Sequence, residues 1–78
     1  MTCPPGGSDI GYLWGTDVYT VDSMTCSAAV HAGLITFAKG GTVTLEIRPG
    51  QSSYQGSTRF GVTSRAFGVY DASFAFIQ

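Results

Sequence analysis

Charge is what this sequence has least of. Four basic and five acidic side chains serve 78 residues, leaving a net charge of −1. The basic ones, Lys39, Arg48, Arg59 and Arg65, are scattered along the second half and never form a run. The positive patch that tracks a phosphate backbone is therefore missing, which excludes nucleic acid as a partner. There is no acidic or basic tail either. Histidine occurs once and cysteine twice, so a metal cluster has few ligands to draw on and no cofactor is expected. No apolar run approaches the ~20 residues of a bilayer-spanning helix. No charged start followed by an apolar stretch marks a signal peptide. Met1 followed at once by "TCPPGG" fits a mature terminus or an excised fragment, with any targeting segment outside the chain.

What is present is apolar and rich in glycine, at 44% hydrophobic residues and 11 Gly. That composition belongs to a folded domain, not a disordered chain. The length implies one domain, residues 1–78, with a small core that needs a staple. Cys3 and Cys26 are too far apart for a CxxC metal motif. A reactive thiol is one reading. A disulfide closing the N-terminal loop is the more economical one, and it would stabilise the fold by roughly 3–4 kcal/mol on the chain-entropy model. A structural bridge in turn places the chain in an oxidising compartment, outside the cell or in a periplasm.

Along the chain, "TCPPGGSD" reads as loop. "YLWGTDVYT", residues 12–20, reads as a strand broken or bulged near Gly15. "DSMTCSAAVHAG", residues 22–33, reads as one helix. Asp22 or Ser23 would accept from its first-turn N–H groups, with Asp22 as the N-cap, and Gly33 would supply the left-handed residue after its end. Cys26, Ala29, Val30 and Gly33 share one face; Met24, Ala28 and His31 share another. Neither face is charged, so the helix should be buried nearly all round, with sheet packed closely over its small side chains. "LITF" (34–37) is β-prone. "TVTLEIR" (42–48) alternates, with Val43, Leu45 and Ile47 on its dry face. "PGQSSYQGST" is a long polar loop of the kind that often carries function. "RFGVTS", "AFGVY" and "ASFAFIQ" are short β-like runs. The expected architecture is α+β: a central buried helix wrapped by two small, mainly antiparallel sheets of about six short strands.

The pieces come in a specific order. "S-x-x-C-x-A-A-V-H-A-G" in the helix is followed by "Y-x-G-S-x-x-x-G-V-x-S" downstream, and "SFAFI" closes the chain. Together they resemble the LCCL domain family from about Cys3 to Ile77. The resemblance implies a central helix wrapped by two sheets, and an extracellular module of multidomain proteins, not an enzyme. It also implies association with host defence, with lipopolysaccharide or other microbial surface ligands, and with matrix or cell-surface assembly. Cys26 matches the family's helix cysteine, and Cys3 resembles its partner. Two features depart from the pattern. Family members commonly have four cysteines, and many have Asn where this chain has Phe60. The short two-cysteine form with "WGTDVYT" is closer to bacterial members than to animal ones.

Few residues invite chemistry. His31 could form a triad-like set with Ser23, Ser27 or Asp22, but no oxyanion hole is signalled nearby and a helix under sheets leaves no room for substrate. A neutral core histidine bonded to backbone is the plainer expectation. Asp9, Asp17 and Asp22 lack the dense alternating spacing of a calcium loop. One Trp, four Tyr and five Phe suggest carbohydrate stacking, although most must fill the core. The candidate contact residues are Arg48, Tyr54, Arg59 and Phe60, on or beside the 49–60 loop; Tyr54 could instead simply pin that loop. The expected function is a non-catalytic extracellular module touching a surface glycan, a glycolipid or a partner protein. The alternative is self-assembly through Phe60, Ile77 and exposed strand edges into a homo-oligomer.

Overall fold

The computed structural model describes residues 1–7 and 12–77. Its single helix among these residues, α1, spans Thr25–His31. Five consecutive helical residues, Ser27 to His31, are buried. The helix is three residues shorter at its start than expected. Met24 is the N-cap and no side chain caps it, so the assignment of Asp22 as cap is corrected. The reason lies in the preceding turn. The Ser23 hydroxyl already bonds the Trp14 backbone and the Thr20 hydroxyl, and the Met24 N–H donates to the Tyr12 carbonyl. Asp22 instead stands beside Tyr70, whose pKa is raised by desolvation first and by the Asp22 charge next. At the other end, Gly33 takes φ +83°. Its N–H donates to the Val30 carbonyl, and Leu34 N–H donates to the Ala29 carbonyl. That pair of bonds is a Schellman ending, for which a residue without Cβ is suited.

Eight short strands surround the helix among the described residues, in three sheets where two were expected. The largest sheet has the order β2 (Gly15–Thr16), β3 (Val18–Thr20), β8 (Ala72–Ile77), β5 (Thr44–Pro49), all antiparallel. Two small pairs complete the fold: β1 (Thr2–Cys3) with β4 (Gly41–Thr42), and β6 (Thr58–Arg59) with β7 (Val62–Thr63). The core joins helix to sheets through Leu13, Tyr19, Ala28, Val30, Val62 and Phe74. Cys3 and Cys26 are disulfide-bonded, tying β1 to α1.

Three local expectations change. The break in 12–20 is a turn at Asp17, which pairs Thr16 with Val18 and takes φ +65°. Aspartate tolerates the left-handed region better than most side chains. "LITF" forms no strand; Thr36 bridges back to Gly40 alone. Within "TVTLEIR", Val43 is buried and Leu45 half-buried, but Ile47 is exposed. The dry face of β5 therefore runs out from under the core at its far end.

Candidate functional site

His31 is fully buried. Its Nδ1 lies 3.0 Å from the Tyr19 hydroxyl, and its Nε2 lies 3.2 Å from both the Ser57 carbonyl and the Ser57 hydroxyl. The protons can be placed from the far end of the chain of bonds. The Thr16 hydroxyl donates to the Gln55 carbonyl, 3.0 Å away, which is an acceptor only. The Ser57 hydroxyl, 2.6 Å from Thr16 Oγ1, must then be the donor to it. Ser57 Oγ is left to accept, so His31 Nε2 carries the proton. Nδ1 is bare and accepts from the Tyr19 hydroxyl. Every partner is satisfied only by a neutral imidazole. Burial lowers the His31 pKa; the Ser57 carbonyl works the other way, and the Arg59 charge adds to the lowering. Burial likewise raises the Tyr19 pKa, keeping its phenol a donor.

This network explains why the two sequence motifs occur together. The histidine of "AAVHAG" holds the serine of "Y-x-G-S". That serine's carbonyl also accepts from the Ser64 N–H at 2.7 Å, and its own N–H donates to Ser64 Oγ at 3.0 Å. Ser64 is the last residue of "G-V-x-S". Ser27, although buried on the helix, makes no bond to His31 in this network. The arrangement holds the long loop against the core and leaves the imidazole no lone pair or proton to lend to a substrate.

The four candidate contact residues do not converge. Tyr54 is only 3% exposed. Its backbone bridges Phe67 in both directions, and its hydroxyl accepts from the Gln51 N–H at 3.0 Å. Tyr54 is corrected from ligand contact to loop anchor, because a ring so enclosed has no face to offer. Arg48 pairs with Glu46 on its own strand at 2.8 Å. Arg59 reaches Asp17 at 2.9 Å, bracing one hairpin tip against another. Both pairs are solvent-screened and contribute little to stability. Phe60 alone stands out, 71% exposed.

Phe60 and Gly61 form the two-residue turn between β6 and β7, with φ +52° and +78°. Positive φ at both positions is the type I′ turn, which favours Asn-Gly. The Asn that the family resemblance places before this glycine is turn chemistry, and Phe60 gives it up. The Phe60 ring lies over the Gly33 backbone: a Cβ there would meet its Cε2 at 2.9 Å.

Sequence reading missed a second aromatic surface. Tyr12 stacks on Trp14 with ring centroids 5.5 Å apart and planes at 14°. Trp14 meets Phe67 at 5.9 Å, and Phe67 meets Tyr70 at 5.8 Å. The Arg65 guanidinium sits 5.7 Å from the Tyr12 ring centre. Its sequence signal was the alternation of Tyr12 and Trp14 about buried Leu13, which turns two rings outward together.

No group of three or more His, Cys, Asp or Glu stands together among the described residues. Asp17 is engaged by Arg59, and Asp9 lies outside the described residues. No helix among them is long and apolar enough to cross a membrane.

Comparison with known proteins places this geometry. The LCCL domain family model matches residues 1–74. The chain is 41% identical to vitrin of Bos taurus over 75 residues, covering 95% of this chain and 11% of that one. It is 37% identical over 71 residues to human cysteine-rich secretory protein LCCL domain-containing 2, covering 86% of this chain and 14% of the relative. Cochlin of Mus musculus is 36% identical over 76 residues, covering 96% and 14%. The chain thus spans less than a sixth of the length of these curated relatives. They are secreted extracellular proteins and are not known as enzymes.

Proposed function

Because this extracellular chain belongs to the LCCL domain family, we propose that it is a non-catalytic contact module that binds a surface glycan, a glycolipid or a partner protein. Phe60 carries this reading. A bulky side chain held at positive φ costs of order 1 kcal/mol or more, and most of this ring remains in water. Its cover of Gly33 is one-sided. A residue that is both strained and exposed gives the fold little, and strain of this kind gathers at binding sites.

Phe60→Asn restores the favoured turn pair. It is expected to leave the melting temperature unchanged or to stabilise the domain by up to about 1 kcal/mol. Binding to a panel of immobilised glycans, glycolipids and extracellular-matrix proteins should fall at least tenfold. Undiminished binding would put the contact elsewhere, and a clear loss of stability would make the ring structural.

A second reading, self-assembly, draws on β5. This six-residue strand forms an edge of the large sheet, and Ile47 on it and Ile77 on the neighbouring β8 are exposed. Unpaired strand edges are templates for another chain. Growth of the scattering mass across a concentration series would support it; a strict monomer at high concentration would sink it.

A further inference from the structure

Arg48 and Arg59 each hold a carboxylate. Arg65 holds none among the described residues, and it is exposed. Its guanidinium lies against the band of four rings, Tyr12, Trp14, Phe67 and Tyr70. Tyr12 is 60% exposed and Phe67 42%, with Trp14 and Tyr70 half-buried.

The band is rigidly mounted. Leu13 carbonyl accepts from Arg65 N–H, Arg65 carbonyl accepts from Gly15 N–H, and Phe67 is bonded both ways to Tyr54. Tyr12 is fixed by its carbonyl to Met24 N–H at the helix start. The backbone that carries Tyr12, Trp14 and Phe67 is therefore held in place before any ligand arrives, which lowers the ordering cost of binding.

We propose that this band with Arg65 is a platform for a carboxylate-bearing oligosaccharide. The reading rests on the contact-module function proposed above but uses a different face from Phe60. Sugar rings present C–H faces that stack on aromatic rings, and Tyr12 carries a hydroxyl for the sugar's own, whereas the Tyr70 hydroxyl is engaged by Asp22. A guanidinium with no carboxylate partner among the described residues is matched by a carboxylate, which it can bind through two parallel hydrogen bonds. A nucleic-acid strand would also stack on rings, but it needs a charged groove along its backbone, and one arginine beside the rings on a chain of net charge −1 does not make one.

Trp14 is the only tryptophan, so its emission reports on the band directly. The oxidised domain is titrated with hexagalacturonic acid and with its methyl ester. The free acid should shift Trp14 emission, and Tyr12→Ala should weaken binding at least tenfold. The methyl ester should bind at least fivefold more weakly than the acid, and Arg65→Gln should erase that preference. No change in Trp14 emission at millimolar hexasaccharide overturns the platform, as does binding indifferent to Tyr12→Ala. Equal binding of acid and ester overturns the carboxylate assignment. None of these results touches the contact-module reading, which the Phe60→Asn panel tests separately.

Discussion

Reducing the Cys3–Cys26 bridge is expected to lower the melting temperature by roughly 15–25 °C, the shift that ~3–4 kcal/mol produces in a domain of this size. The bridge spans 23 positions and encloses both β2 and β3. What it anchors is weak on its own. Strand β1 has two residues and pairs only with the two of β4. Cys3 is nevertheless buried, so freeing this strand would open the core beside α1. Melting curves of the oxidised protein, the reduced and alkylated protein, and a Cys3→Ser/Cys26→Ser variant check this. A shift below about 5 °C would correspond to no more than ~1 kcal/mol and would remove the need for an oxidising compartment.

His31→Ala should be as damaging. It removes a fully buried ring and strands the Tyr19 hydroxyl, while the Ser57 carbonyl keeps its bond from the Ser64 N–H. Cavity formation and an unsatisfied polar group together should cost about 3–5 kcal/mol, a large part of what a small domain has. His31→Gln keeps a donor and an acceptor and should recover part of the loss. Chemical denaturation of the three proteins measures it. The same network gives a pH dependence. The unfolded chain takes up its imidazole proton near pH 6.5, whereas burial delays uptake in the folded state to lower pH. Below about 6.5 the unfolded state thus binds more protons, so His31's contribution to stability is complete above that pH and is lost as pH falls toward the folded-state value. A His31→Ala protein that folds stably and shows no loss would mean that the imidazole contributes nothing to the core.

Much of this fold was legible because it rests on local chemistry. An uncharged run of small residues ending in Gly33 could only be a buried helix with a left-handed stop. Two cysteines in a small core implied a staple. Alternation around Leu45 marked β5. What escaped depends on partners far away in sequence. Asp22 has the right chemistry to cap α1, but Ser23 and Met24 were committed to Thr20, Trp14 and Tyr12, and that set where the helix begins. Tyr54 looked exposed in a polar loop because its backbone partner, Phe67, comes 13 residues later in the chain. Phe60 drew notice as a departure from the family, yet its strain appears only with the φ of its turn. The aromatic band was hidden for the opposite reason: its rings are spread from 12 to 70, and only the ladder between Leu13, Gly15 and Arg65 brings them side by side.

The only histidine of the chain is sealed in the core with both ring nitrogens bonded. The most direct test is nitrogen NMR of the His31 imidazole from pH 8 down to pH 4. The expected spectrum shows a single neutral ring, protonated at Nε2 and bare at Nδ1, unchanged through pH 6.5 for as long as the protein stays folded. A folded protein whose imidazole titrates near 6.5, or exchanges between tautomers, would have an accessible histidine and would contradict the account.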